Sequence, residues 1–318
     1  MDDKIYNALM EEIRKKIPQN SQMVKTLVDI LRIEKEAVYR RLRQEVPFTF
    51  NEVVIISRKL SISLDTIIGT EINRSRPFQM KLPDFLDFGQ DSEIMVRGFL
   101  EMLRLTQESR HSETGVVSNE IPQPFFSGFP IIRKFYVFNW AFYFKNKALN
   151  FNDFKVSDFA SESFDIRFQQ TKNFKNSHYV FDNYVFQHFV NNIKYFRDIR
   201  LLNPYEVESI KEELFEIIDY IENLAVKGKF DETGNSVYIY ISDIELTTNY
   251  SYFEIDNLKI SMIKAFLLTS ATSEDPEIFA TTKNWIHSLI KLSTQISQTN
   301  ERQRILYFDK QRQIVNKL

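Results

Sequence analysis

Four arginines and a tyrosine crowd the stretch Asp29–Arg43, DILRIEKEAVYRRLR. A guanidinium offers a planar fork of donors that fits phosphate oxygens and base edges, and the same run on a helix can equally be a solvated face. Other chemistry is narrowed by what the chain lacks. It has no cysteine, which excludes disulfides, thiolate metal sites and cysteine nucleophiles. Seven glycines leave no material for a phosphate-cradling loop or a dinucleotide fingerprint. His111, His178, His188 and His287 show no metal-ligand spacing and read as surface or core residues. Acidic pairs such as Glu212–Glu213 read as solvated charge on a helix, and no nucleophile elbow accompanies any serine. No catalytic residue, metal site or cofactor is therefore expected, and the chain reads as a non-enzyme.

At 318 residues the chain suits two domains, and 43% hydrophobic with 26% charged residues is ordinary globular composition. The start, MDDKIYNALMEEIRKKI, is acidic and helically spaced, unlike a signal peptide, and no apolar run reaches the length of a membrane span. A cytoplasmic location with no membrane partner is expected. The net charge of −2 hides a mild segregation, because residues 21–60 carry eight basic and five acidic side chains.

The elements around the arginines are closely punctuated. Ile5, Leu9, Ile13 and Ile17 make one stripe on a first helix that Pro18 closes. Val24, Leu27, Val28 and Leu31 mark a second helix with Ser21 at its N-cap. A third turns Ala37, Val38 and Leu42 inward. Thr49 and Glu52 form a capping box, with Phe48 and Val53 at the staple positions, before a fourth helix through Val53, Val54, Ile56 and Leu60. Ser63 caps a fifth that Gly69 ends.

So tight a connection between the second and third helices sets one across the other, the helix-turn-helix arrangement. In LVDILRIEKEAVYRRLR, and in the segment FTFNEVVIISRKLSISLDTIIG that follows, the chain resembles the Cro/CI-type repressors, the XRE family, over residues 3–70. It departs from their pattern at Val24, Val28, Arg32 and Glu34. Arg32 stands where the family has the turn glycine; left-handed backbone there would cost roughly 1 kcal/mol, so the turn is expected to differ in detail.

The resemblance implies an all-α, five-helix, lambda-repressor-like domain over 1–70, with residues 34–43 as recognition helix in the major groove of double-stranded DNA. Lys35, Glu36, Tyr39 and Arg40, near the start of that helix, then face base edges. Ser21, Gln22, Lys25, Arg32, Arg41 and Arg43 are placed for phosphate. A single module binds weakly, so a homodimer is expected.

Residues 71–90, with Pro77, Pro83 and Gly89, read as a linker. Residues 91–109 look helical, either a dimer helix or one buried in the second domain. From 110 the chain is rich in aromatics, and 130–147 is helix or strand on period alone. Helices are expected at 183–197, 204–227, 275–297 and 300–316, and three antiparallel strands at 236–268. Residues 91–318 thus form an α+β domain with an antiparallel sheet and flanking helices. Its aromatics either fill the core or line a pocket for a small-molecule effector, so it is read as an oligomerisation or sensor domain. A sequence-specific transcriptional regulator of prokaryotic type is expected; the alternatives are an enzyme carrying a targeting head, or a protein-binding adaptor that reuses it.

Overall fold

A computed structural model of the protein describes residues 3–60, 62, 64, 67, 79–80, 90–145, 150–265 and 269–318. The chain divides into two compact units, Met1–Pro77 and Phe78–Leu318.

In the first unit α1 (Asp3–Lys16), α2 (Asn20–Leu31), α3 (Lys35–Leu42) and α4 (Phe50–Leu60) enclose Leu9, Ile13, Leu27, Val38, Phe48 and Ile56. The apolar spacing produces these spans, with two corrections. Helix α2 begins after Gln19, which makes no side-chain cap bond, so Ser21 lies inside the first turn rather than capping it. Ile5, at the end of its stripe, is exposed. The helix expected from Ser63 to Gly69 falls mostly outside the described residues, although Ile62 and Ile67 are described and buried in the same core.

Arg32 joins α2 to α3 in left-handed backbone, φ 55° and ψ 42°, with its N–H donating to the Val28 carbonyl at 2.9 Å. The turn therefore does not change to avoid the strain of about 1 kcal/mol; a side chain occupies the conformation that glycine takes freely. The end of α3 is tied down by Tyr6, whose hydroxyl donates to the Arg41 carbonyl at 3.2 Å and accepts from the Phe48 N–H at 3.3 Å. The capping box forms as spaced: Thr49 N–H donates to Glu52 Oε2 at 2.8 Å, and Glu52 N–H to Thr49 Oγ1 at 3.3 Å.

The second unit is mixed α+β. Its strands are β1 (Gln79–Met80), β2 (Ser112–Ser118), β3 (Asn176–Phe181), β4 (Ser236–Ile241), β5 (Tyr250–Ile255), β6 (Leu258–Ala265), β7 (Thr269–Ser273) and β8 (Thr294–Gln295). They form one sheet in the order β1-β7-β6-β5-β2-β3-β4-β8. The centre is parallel, β2 with β3 and β3 with β4, and the other pairings are antiparallel. Three antiparallel strands over 236–268 is thus corrected: β5 and β6 are a hairpin, while β4 leaves it to pair with β3. Parallel strands need both faces covered, and the intervening chain supplies the cover. Strand β1 also starts the sheet inside the segment read as a linker.

The helices are α5 (Gln90–Arg104), α6 (Gln123–Phe126), α7 (Pro130–Lys145), α8 (Asp158–Gln170), α9 (Gln187–Asp198), α10 (Pro204–Lys227), α11 (Pro276–Leu292) and α12 (Glu301–Val315). Of segment 130–147, open on period, Pro130–Lys145 is helical and the rest lies outside the described residues, and α8 was not foreseen. Helix α5 turns Leu100, Met102 and Leu103 into a core with Phe174 and Ile255, so its seam is buried within the unit. Asn203, Pro204 and Glu206 start α10 as a capping box, and Gly228 ends it at φ 64°. One acidic pair is corrected too. Glu213 is buried and accepts from the Ile132 N–H at 2.7 Å, where its charge sits at the start of α7.

Phe125, Phe126, Phe135, Phe138 and Phe196 fill the main core between sheet and helices. On the opposite face Val117, Val180 and Tyr252 pack with Phe279, Ile286 and Leu289 of α11. Gly115 is required there: a Cβ would stand 2.3 Å from the Tyr252 ring.

Candidate nucleic-acid interface and a second site

Helix α3 turns Val38 inward and leaves Lys35, Glu36, Tyr39, Arg40 and Arg43 exposed. Ser21, Gln22 and Lys25 are exposed along the start of α2, as is Arg32 in the turn. With no side-chain cap and no acidic residue in its first turn, α2 ends in N–H groups without helical partners. Lys25, Arg32 and Lys35 have no ion-pair partner among the described residues. The Lys35 ammonium lies 5.8 Å from the Tyr39 ring centre.

Three arginines of the run are engaged, in different ways. Arg43 bridges Glu36 at 3.1 Å and Glu45 at 2.7 Å, and Arg40 lies 3.7 Å from Glu45, all at the surface. Arg41 departs from the phosphate role expected of it. Its guanidinium donates to both oxygens of Glu52, at 2.9 and 2.8 Å, and to the Ala37 carbonyl at 3.1 Å, and the pair is only 15% and 13% exposed. Burial pushes the Glu52 carboxyl up, but the bonds from Arg41 and Thr49 outweigh it and hold it below the usual carboxylate range. Spacing cannot show this, because Glu52 is set opposite Arg41 by the turn between α3 and α4.

The larger unit holds a cavity of about 570 Å³ on one face of its sheet. Its floor is β2, β5, β6 and β7, and its roof includes Phe99 of α5, Phe126, Tyr136 of α7, Arg167 of α8 and Phe174. Gln123 Nε2 donates to the Tyr136 hydroxyl at 2.9 Å. Lys264 pairs with Glu120, which also accepts from Asn249 Nδ2 at 2.6 Å. Aromatics of the kind weighed in the sequence therefore both fill the core and line a pocket.

On the other face of the sheet His178 and His287 come within 5.8 Å, ring centre to ring centre, although 109 positions apart in the chain. Tyr252 donates to Glu113 at 2.9 Å and lies 3.2 Å from His287 Nε2, while Lys283 bridges Glu113 at 2.7 Å and Glu254 at 2.6 Å. His178 stacks on Tyr238 with Nδ1 buried and without a hydrogen-bond partner among the described residues, and burial lowers its pKa to about 4. Lys283 and both carboxylates are mutually satisfied here, which is the pattern of a packing network. Among the described residues no cluster of three or more His, Asp or Glu could hold a metal ion. No helix among them is long and apolar enough to cross a membrane.

Comparison with known proteins returns no match to a family model, a curated protein or a solved structure.

Proposed function

We propose that the first unit is a Cro/CI-like helix-turn-helix head that lays α3 in the major groove of duplex DNA, and that the protein is a cytosolic, homodimeric transcriptional regulator of prokaryotic type. One arrangement supports it. A short exposed helix carrying Lys35, Tyr39 and Arg40 follows a three-residue turn from α2, whose uncapped first turn and Lys25 face solvent. Lys35 and Arg40 can donate to guanine O6 and N7, and Glu36 can accept from cytosine N4. Ser21, Gln22, Lys25, Arg32 and Arg43 take phosphates. Arg41 has no such part, since Glu52 holds it.

A single module offers few contacts, so two copies would read half-sites about 34 Å apart, one helical turn. Selection of bound duplexes from a random pool should return a two-fold site. Arg40→Ala should weaken binding to that site by about 1–3 kcal/mol and relax preference at one base pair in each half. An unchanged preference would remove Arg40 from the base-reading set. A protein-binding adaptor is the second reading, favoured by Phe50, 78% exposed at the start of α4, and by the Glu36 and Glu45 carboxylates beside Arg43. It predicts no duplex binding at low salt.

A further inference from the structure

Arg167 is the unusual charge of this molecule. It lies on α8 with its Nε buried, and its guanidinium makes no hydrogen bond or ion pair among the described residues. Instead it sits over the face of Phe99, 4.9 Å from the ring centre, on the wall of the cavity. A half-buried cation whose Nε is shut off from solvent ordinarily has a carboxylate or carbonyl partner. The two carboxylates that also line the cavity do not serve: Glu120 is taken by Lys264 and Asn249, and Glu274 has interactions of its own. With Lys264 neutralised by Glu120, the cavity presents one open positive charge among the described residues.

The void has the size of a small-ligand site. Phe99, Phe126, Phe174 and Phe253 make much of its surface apolar, and Gln123 and the Tyr136 hydroxyl stand among them as polar groups. One planar fork suits a planar carboxylate held by two parallel bonds. A phosphate would bring further charge to a cavity that offers a single free cation among the described residues.

We propose that this cavity binds a small organic monocarboxylate, its carboxylate on the Arg167 guanidinium and its apolar body among Phe99, Phe126, Phe174 and Phe253. Burial already depresses the Arg167 pKa to about 10, and a bound carboxylate relieves that cost. The site belongs to the larger unit and does not depend on DNA binding, so either assignment can fail without the other.

The test is calorimetric titration and thermal unfolding of the full chain with benzoate, phenylacetate, hexanoate and octanoate, against phenylacetamide, phenethylamine and inorganic phosphate. At least one carboxylate should bind saturably, one per chain, and raise the unfolding temperature, with the matched amide at least about tenfold weaker. Arg167→Met should abolish that binding and leave the unliganded unfolding temperature unchanged or higher, because it removes a half-buried cation with no hydrogen bond or ion pair among the described residues and keeps an apolar side chain against Phe99. Arg167→Lys, which keeps charge without the fork, should retain weakened binding. Ser251→Trp fills the floor with Arg167 intact and should also abolish it, which decides the matter if Arg167→Met does not fold. Absence of carboxylate binding at about 10 mM, equal binding of the amide, or binding of phosphate or the amine alone would overturn the assignment. So would undiminished carboxylate binding by Arg167→Met.

Discussion

Arg41 in the helical unit and Arg167 in the sheet unit are both partly withdrawn from water, and they differ in what meets them. Arg41 finds both oxygens of Glu52 and a carbonyl; Arg167 finds an aromatic face and, among the described residues, no acceptor. The first arginine is part of how its unit holds together, joining α3 to the capped start of α4. The second leaves donors unused inside a cavity, which marks a place for something that is not part of the chain. Around Arg41 the exposed cations of α2 and α3 show a third condition, solvated and partly balanced by Glu36 and Glu45. Residue type alone does not separate these conditions; partner and solvent access do.

The largest effect should come from breaking the Arg41 pair. Glu52→Ala strands a half-buried guanidinium and opens the capping box together, at an expected cost of about 2–4 kcal/mol by chemical denaturation. Glu36→Ala, which removes a surface partner of Arg43, should stay within about 0.5 kcal/mol. Equal costs would erase the distinction between an inward arginine and an outward one. The Glu52 contribution should be complete above the ordinary carboxylate value of 4.5 and be lost as pH falls through its depressed folded value.

A second effect, spread over pH, distinguishes the sheet unit. His178 is held neutral to about pH 4, against 6.5 when unfolded, so the unfolded chain binds the extra proton first. Stability should therefore fall as pH drops from 6.5 towards 4, by up to about 1.4 kcal/mol per unit. The nearby Glu113 favours protonation and His287 and Lys283 oppose it. His178→Phe, which keeps a ring on Tyr238, should flatten that slope in pH-dependent unfolding; an unaltered slope would locate the proton elsewhere.

What could be read in advance follows the range of the interactions. Helices α2, α3, α4 and α10 were legible because periodicity, capping boxes and Gly228 act within a few residues. The outward set of Lys35, Glu36, Tyr39, Arg40 and Arg43 was legible for the same reason, since one buried residue, Val38, fixes the face. Arg41 was misplaced because its partner enters from the next helix. The parallel centre of the sheet was missed because β2, β3 and β4 lie far apart in sequence and their alternation is blurred by burial on both faces. The cavity was foreseen only as a class of site: Phe99, Arg167, Phe253 and Lys264 converge from four elements, and nothing local to Arg167 signals that no acid will meet it.

The proposed duplex-binding surface is tested most directly by measuring affinity for its selected duplex across a range of salt concentrations, for the wild type and for Arg43→Ala. Binding should weaken steeply as salt rises, and the variant's logarithmic slope should be shallower by about one unit, the share of one phosphate contact. Affinity that does not respond to salt, or no duplex binding even at low salt, would contradict it.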